Sequence, residues 1–311
     1  MSLIIGLSVV IVGYSNGAPQ ILTNPSADEV AALPFGAFDP DRHRTFELAL
    51  RGWVKEQTGY QLGYVEQLYT FGDRNRESTA TNLFETPAGT RIVSVGYLAL
   101  TPQAEYIPDG SEARWHGWYQ HFPWEDHRGG RPAILEDVII PHLENWAGTN
   151  PDRLSRLAIA FATGSKDWID EAVLERYELL YEAGLVIECA RDQARAIPSI
   201  RLGDAMASDH RRILATAMSR LRSKIRYRPI VFELMDDEFT LSALQTTVEA
   251  ILGQRLHKQN FRRGLDRSGV VKATGQMQTQ TGGRPAALFR FAREDVQHGT
   301  AKILSIPVIK S

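Results

Sequence analysis

The residues with the most evident chemistry lie between Lys258 and Arg267, where basic and amide side chains surround two apolar ones. Phe261 and Leu265 are four positions apart, which places them on one face of a helix and the polar side chains on the other. Arginine bonds guanine through two parallel hydrogen bonds, and asparagine or glutamine bonds adenine in the same way. The side chains predicted to read DNA on this helix are Lys258, Gln259, Asn260, Arg262, Arg263 and Arg267.

The charge distribution favours a nucleic-acid contact at this segment. From Arg255 to Arg293 the chain has nine basic residues and one acid, Asp266, so the segment carries a formal charge of +8. The whole chain carries −2, which leaves −10 for the rest. A compact basic segment on an acidic chain is typical of nucleic-acid binding. The alternative is a solvated face that binds a protein, but such a face usually mixes both signs of charge.

The elements that position this helix are those of a winged helix-turn-helix. Thr240 is a predicted N-cap for a preceding helix that ends at Gly253, and Gly269 ends the polar-faced helix. Two strand-like runs then flank a turn at 282–285, which predicts a β-hairpin with a basic tip. The hairpin adds Lys272 and Arg284 to the residues predicted to bind DNA. One such module usually binds weakly, so we expect a dimer that reads two half-sites.

Upstream, residues 3 to 100 predict an α/β unit. Leu7–Val12 and Ile92–Leu100 have the apolar or alternating pattern of strands, and Pro25–Pro40 has the composition of a loop. Thr45–Thr58 has apolar residues at helical spacing, and the glycine that follows it, Gly59, is a common residue just after a helix.

A helical connector is predicted between the two units. An aromatic loop, Glu105–Pro132, comes first; its rings pack in the core or stack on a flat ligand, and we favour packing. The last predicted helix has an apolar face, which would pack on another helix of this chain or of a second subunit. The predicted helices are Ile134–Trp146, Asp152–Ala162 and Asp167–Ala183.

Composition and cysteine content exclude several classes of protein. Hydrophobic residues make up 43% and charged residues 23%, so the chain is neither disordered nor collagen-like. A single cysteine, Cys189, excludes an internal disulfide framework and a zinc site built from several cysteines. The apolar run Leu3–Val12 falls short of the roughly 20 residues that a membrane span needs, and no basic leader precedes it. We therefore expect a soluble, cytoplasmic protein with no membrane partner.

The N-terminal unit contains a family motif around its predicted helix. Leu33-Pro-Phe-Gly36 and the stretch from Ala49 to Tyr60 are similar to the Nudix box, G-x5-E-x7-R-E-U-x-E-E-x-G-U, with two extra residues between Gly36 and Gly59. The runs that begin at Gln67 and Val93 are similar to those of ADP-ribose-type members. The resemblance covers residues 3 to about 100.

The departures from the Nudix box predict a fold that has lost hydrolysis. Nudix hydrolases hold divalent cations with glutamates of this helix, and the cations polarise a pyrophosphate. With the box aligned on its last glycine, its Arg-Glu pair falls on Gly52 and Trp53. Its Glu-Glu pair falls on Glu56 and Gln57. One carboxylate leaves too little charge for Mg²⁺, so we expect no metal and no cofactor. The glutamates that offer an alternative metal site are Glu47, Glu66 and Glu77.

A Nudix fold without metals still implies a nucleotide pocket. Arginines near the motifs would pair with phosphates, and aromatic rings, including a tryptophan of the 115–124 loop, would stack on a base. Each arginine taken singly is more often a surface charge. The predicted ligand-binding residues are Arg51, Glu56, Tyr69, Phe71, Arg74, Arg76 and Arg91.

The whole chain resembles the Nudix-related transcription regulators of NAD metabolism. The stretches that carry this resemblance begin at Phe239, Lys258 and Thr281, and the middle around Phe122 and Leu174 is similar to the alphaproteobacterial NAD regulators. The resemblance implies an α/β Nudix-like sandwich, a helical connector and a C-terminal winged helix-turn-helix. The implied domains are residues 1–125, 126–205 and 206–311.

The family implies a function as well. It implies a homodimeric repressor of NAD-biosynthesis genes that binds a double-stranded DNA operator and a nucleotide effector such as ADP-ribose or NAD. The helices of Asp152–Ala183 would transmit the effect of nucleotide binding to the DNA-binding part, an assignment that rests only on their position between the two. One alternative is an active Nudix hydrolase of ADP-ribose or a dinucleotide with an accessory nucleic-acid domain. Another is an RNA-binding protein.

Overall fold

A mixed sheet forms the N-terminal half of the molecule. The computed structural model describes residues 3–26, 30–72, 91–102, 104, 106–278 and 285–297. The seven-stranded sheet has the order β3-β2-β1-β6-β5, with β4 paired to β1 and β7 paired to β2. Strands β1 and β6 are parallel, and the other pairs are antiparallel. The strands are β1 (Leu3–Ser15), β2 (Ala18–Pro25), β3 (Ala31–Ala32), β4 (Phe35–Ala37), β5 (Tyr64–Phe71), β6 (Arg91–Leu100) and β7 (Arg114–Gly117).

Each face of this sheet is buried under helices. Along β1, Leu7, Val9 and Ile11 point to one side, where they pack with Leu50 of helix α1 (Phe46–Thr58). The alternate residue Val10 belongs to a second core on the opposite face. Successive side chains of a strand point to opposite faces, so a doubly covered strand reads as the continuous apolar run seen here. The α/β sandwich predicted from the sequence is confirmed.

Helix α1 has the ends that its sequence predicted. The Thr45 hydroxyl accepts a hydrogen bond from the Leu48 amide at 3.2 Å, and Gly59 follows in the left-handed conformation with φ of 74°. Both devices satisfy backbone groups that lack partners within the helix.

The connector consists of short helices that pack on the second face of the sheet. Trp118, Phe122 and Trp124 are fully buried there, as the packing interpretation of the aromatic loop predicted. Short 3₁₀ and π turns cover 123–125 and 135–139. The helices are α2 (Trp118–His121), α3 (Ile140–Ala147), α4 (Pro151–Phe161), α5 (Val173–Glu182), α6 (Ile187–Asp192) and α7 (His210–Lys224).

Two predicted segments differ in detail from the structure, the helix from Asp167 and the loop over 25–40. The helix predicted from Asp167 begins only at Val173, because the preceding turns direct the Asp170 carbonyl towards buried arginine side chains. Its apolar face packs against α7 of the same chain rather than requiring a second subunit. The loop predicted over 25–40 contains the short strands β3 and β4.

The C-terminal region is a compact helical and hairpin unit. Strands β8, β10 and β9 form a three-stranded sheet in that order. The Thr240 hydroxyl accepts from the Ala243 amide at 3.1 Å, and Gly253 and Gly269 end their helices in the left-handed conformation, all as predicted. The elements are β8 (Phe239–Thr240), α8 (Leu241–Leu252), α9 (Lys258–Ser268), β9 (Val271–Gln278), β10 (Ala286–Phe291) and α10 (Arg293–Gln297).

Helix α7 lies between the large sheet and this C-terminal unit. It packs against β1, β5 and β6 on one side and contacts α8 on the other. Within the described ranges, no helix is both long and apolar enough to cross a membrane.

Candidate nucleic-acid interface and ligand cavity

Helix α9 presents a basic and amide-bearing face to solvent. Phe261 and Leu265 are buried against the body of the domain. Asn260 is half-buried, and its amide oxygen accepts a hydrogen bond from the Arg263 guanidinium. This contact between residues three positions apart orients both side chains on one face of the helix. The exposed members of the predicted DNA-reading set are Lys258, Gln259, Arg262, Arg263 and Arg267.

The turn between α8 and α9 is fixed by a buried carboxylate. One oxygen of Glu249 accepts from the Leu256 amide at 2.9 Å and from the Gln245 side chain at 2.8 Å. The other oxygen pairs with Arg255 at 3.1 Å. Because these bonds join the end of α8 to the residues that precede α9, the two helices are held at a set angle.

The hairpin formed by β9 and β10 follows α9, in the position that the wing has in a winged helix. Lys272 on β9 is 53% exposed and forms an ion pair with Asp295, so part of its charge is already neutralised. Arg284 and the glycines at the predicted tip of the hairpin lie outside the described residues.

A cavity of about 410 Å³ lies at the C-terminal end of α1. Of the predicted ligand-binding residues, Glu56 alone is among those described around it. The opposite wall is the loop 108–112, which sequence reasoning missed because it lies about fifty positions further along the chain. The cavity is lined by Asn24, Pro25, Lys55, Glu56, Gln57, Gly59, Pro108, Asp109, Gly110, Ser111 and Glu112.

The other predicted ligand residues do not converge on this cavity. Arg51 donates to the Gly63 carbonyl at 3.0 Å and pairs with Glu47 at 2.9 Å, so it holds the loop that follows α1. The Arg91 guanidinium donates to the Gly72 carbonyl at 2.6 Å at the far end of β5. Arg74 and Arg76 lie outside the described residues.

Phe71 and Tyr69 lie on the face of the sheet opposite α1. Phe71 is buried in the core that α7 covers, with the Arg212 guanidinium 5.4 Å above its ring. Tyr69 is 62% exposed, and its ring is 5.5 Å from that of Phe71. Neither ring can therefore stack on a base held beside Glu56.

Trp53 and Gln57, which the sequence comparison aligns with two acidic positions of the Nudix box, make contacts within the domain. Trp53 packs so closely on Gly36 that a Cβ at this glycine would overlap the indole, and its Nε1 donates to the Ala37 carbonyl at 3.1 Å. The Gln57 amide donates to the Phe35 carbonyl at 2.6 Å and accepts from Asn24 at 3.1 Å.

The alternative metal ligands are also engaged. Burial alone would raise the pKa of Glu66, but hydrogen bonds from Lys224 at 2.6 Å and Tyr64 at 2.6 Å hold it below its ordinary value. Glu47 pairs with Arg51, and Glu77 lies outside the described residues. In the part of the chain that the structure describes, no three His, Cys, Asp or Glu side chains are grouped to hold a metal ion. This donor set does not fit Mg²⁺.

A family model identifies the C-terminal part of the chain. Residues 231–291 match the NrtR DNA-binding winged helix domain. This segment is therefore similar to the winged helix of NrtR proteins. A curated relative, the ADPR responsive transcriptional repressor NtrR of Acinetobacter baylyi, is 42% identical over 102 residues, which are 33% of this chain and 40% of that relative. The aligned region thus spans well under half the length of the relative.

Solved structures show the fold of the whole chain. NrtR of Shewanella oneidensis in complex with a 27mer DNA superposes with a TM-score of 0.57 at 19% identity, over 97% of this chain and 98% of that chain. A MutT/nudix family protein from Enterococcus faecalis superposes with a TM-score of 0.53 at 16% identity, over 94% of this chain and 87% of that chain. The chain therefore has the NrtR fold, a Nudix-like domain followed by a winged helix.

Proposed function

We propose that this chain is a DNA-binding transcriptional repressor that senses ADP-ribose, NAD or a related nucleotide and controls NAD-biosynthesis genes. The observation that carries the proposal is the exposed basic face of α9 in a segment that matches the NrtR winged helix, on a chain that superposes on NrtR over 97% of its length. The name of the Acinetobacter relative, an ADPR responsive repressor, supports the choice of effector.

On this proposal α9 enters the major groove of an operator and the hairpin contacts the adjacent backbone. The chain acts as a homodimer in the cytoplasm, where its operator lies, and reads two half-sites about 34 Å apart. The three-part division is retained, with a sensing domain over 1–125, a connector over 126–205 and a DNA-binding domain over 206–311. The predicted DNA-binding residues Lys272 and Arg284 contact phosphates.

The effector occupies the cavity at the end of α1. Its ribose hydroxyls donate to the carboxylates of Asp109 and Glu112, and its phosphates pair with Lys55. Asn24 and Ser111 supply further polar groups beside Glu56. Arg51, Tyr69, Phe71 and Arg91 support this domain from outside the cavity.

A Lys55→Ala substitution tests the position of the effector. We expect ADP-ribose affinity to fall by a factor that corresponds to about 1.5–3 kcal/mol, because a hydrogen bond to a charged group is lost. Calorimetric titration measures the change. Lys166→Ala removes a comparable exposed charge from a different cavity and serves as the control. Unchanged affinity in the Lys55 variant would place the effector elsewhere.

The Nudix-like domain binds its nucleotide without hydrolysing it. Trp53 and Gln57 take the places of two acidic ligands, so the cations that would activate water have no suitable ligand set. Incubation of the full chain with ADP-ribose and Mg²⁺ should yield no AMP above the rate without protein.

An active hydrolase is the second candidate, because Glu56, Asp109 and Glu112 line one cavity. These carboxylates are not grouped to hold a metal ion in the described structure, so hydrolysis would require them to move together. Sustained turnover to AMP that is lost in Glu56→Gln would establish that activity. A salt titration with duplex DNA and with RNA of the same sequence separates the RNA-binding alternative, since tighter RNA binding at every salt concentration would exclude an operator.

A gel-retention assay with and without ADP-ribose tests the main proposal. The probe is a duplex selected by the wild-type chain from a random pool. We expect retention that changes about 5- to 150-fold on addition of ADP-ribose. If no duplex is retained above the level of random DNA, the chain is not an operator-binding protein.

A further inference from the structure

The two ends of helix α7 contact the large sheet and the winged helix. Near its N-terminus, Ile213 lies over Gly96 of β6, in the sheet that carries the ligand cavity. Towards its C-terminus, α7 packs against α8, the helix that precedes the recognition helix α9. A movement of α7 relative to the sheet therefore moves the support of α9.

The N-terminal end of α7 is two hydrogen-bonded steps from the cavity. Nδ1 of His210 accepts from the Leu33 amide at 3.0 Å, and the His210 ring lies 5.6 Å from that of Phe35. The backbone of Phe35 is in turn bonded to the Gln57 side chain, at 3.3 Å and 2.6 Å. Because Gln57 lines the cavity, a ligand that displaces its amide also displaces the segment that holds His210.

The C-terminal end of α7 holds the last carbonyls of α8. Arg222 is fully buried, and its Nε donates to the Ile251 carbonyl at 2.9 Å. Tyr119, which Arg222 contacts at 3.3 Å, donates its hydroxyl to the Ala250 carbonyl at 2.6 Å. The last carbonyls of a helix have no partner within the helix, and a cation beside them complements the helix dipole.

A buried carboxylate locks this contact in place. Glu125 accepts from Arg222 at 2.6 Å and from Arg176 at 2.5 Å. Its own carbonyl oxygen lies against Gly253, where a Cβ would overlap it. Apolar residues of similar volume usually stabilise a fold as well as a buried ion pair does. The buried charges therefore contribute mainly by fixing the geometry of the turn between α8 and α9.

We propose that Arg222 is a positioning residue for the recognition helix. It fixes the end of α8, and with it α9, to α7, so that a shift of α7 at its cavity end changes the affinity for DNA. The inference rests on the proposed function and adds to it the element and the side chain through which the two sites are coupled.

The test is an Arg222→Met variant, which keeps the unbranched apolar part of the side chain and removes its donors. We measure retention of the selected duplex with and without ADP-ribose, and ADP-ribose affinity separately by calorimetry. The expected result is an ADP-ribose effect on retention that falls to less than about twofold, from the wild-type range of about 5- to 150-fold, with ADP-ribose affinity within twofold of wild type.

Two further variants separate positioning from general damage. Arg220→Met removes a 44% exposed arginine from the same helix and should keep the wild-type ADP-ribose effect. Tyr119→Phe removes only the hydroxyl that binds the Ala250 carbonyl, so it reports on the same contact if the Arg222 variant does not fold. We expect it to reduce the ADP-ribose effect at least threefold.

A full wild-type ADP-ribose effect in folded Arg222→Met or Tyr119→Phe would overturn the inference, as would an equal loss in Arg220→Met. Hydrogen exchange of the amides of residues 249–257 gives a readout that does not need DNA. ADP-ribose should alter exchange there in the wild type and not in Arg222→Met. If the wild type retains no operator, the proposed function fails, and this exchange comparison alone decides whether Arg222 couples the cavity to α9.

Discussion

At the scale of single residues, the chemistry of the two sites differs in how directly it follows from residue type. The arginines of α9 that the periodicity places outward are exposed, because a short amphipathic helix has one way to bury Phe261 and Leu265. The cavity is less predictable, since Glu56 meets Asp109 and Ser111 only through the tertiary fold.

Alanine substitutions at Arg262 and Arg263 test the interface directly. Each should weaken operator binding by about 1–3 kcal/mol if the side chain bonds a base, and the specificity at that base should relax. Competition gel retention with operator and random duplex measures both effects. Arg195→Ala, an exposed arginine outside the basic segment, is the matched control. Normal binding by both variants would show that α9 is not the recognition helix.

At the scale of elements, the helices with clear caps were predictable and the buried arginines were not. Gly59, Thr240 and Gly253 act at the helix ends where their residue types predicted. Helix α7 reads as a basic surface helix, yet Arg211 and Arg222 are buried because carbonyls and carboxylates from distant segments receive them. No local pattern reveals such partners, so sequence reasoning did not find the junction between α7 and α8.

The cap of α8 gives a stability prediction. Thr240→Ala removes the acceptor for the Ala243 amide and should lower the free energy of unfolding by about 0.5–2 kcal/mol. Urea denaturation followed by circular dichroism measures the change. Thr246→Ala removes a hydroxyl on the exposed side of the same helix and should change it by less than about 0.5 kcal/mol. Equal effects of the two substitutions would contradict the assignment of Thr240 as the cap.

The junction of α7 with the sheet should be sensitive to acid. Burial, and secondarily the charge of Arg191, lowers the pKa of His210 to about 3. Between pH 6.5 and 3 the unfolded chain therefore binds a proton that the folded chain does not. The free energy of unfolding decreases as the pH is lowered through this window. For this residue the loss from pH 6.5 to 5 is on the order of 2 kcal/mol. His210→Gln should flatten the pH dependence of urea midpoints; an unchanged slope would show that His210 is not responsible.

At the scale of the whole molecule, the predicted architecture is confirmed and the assembly remains a proposal. The chain superposes on an NrtR structure over 97% of its length, so a Nudix-like domain and a winged helix are joined in one polypeptide. The proposed dimer follows from the physics of reading DNA, since one recognition helix contacts too few bases for an operator to be distinguished. The sequence predicted no further detail of assembly, because an interface between copies depends on the three-dimensional surface.

Half-site spacing tests the dimer. Insertion of five base pairs between the two halves of the selected operator turns one half-site by about half a helical turn, so only one recognition helix can bind at a time. We expect at least about a tenfold loss of affinity in gel retention. A duplex with a single half-site is the control and should bind as weakly as the insertion. Equal affinity for all three duplexes would indicate a monomeric reader.

The two anchor points of α7 respond differently to protons. The guanidinium groups of Arg176 and Arg222 keep the pKa of Glu125 below its ordinary value in spite of burial, and the pKa of Arg222 is raised by Tyr119 and Glu125. That anchor therefore stays ionised at mildly acidic pH. The imidazole anchor at the other end loses its acceptor once it is protonated. Because the pKa of His210 is about 3, this protonation does not occur at mildly acidic pH in the folded chain, so both ends of α7 should stay attached there and a folded repressor should still respond to its effector.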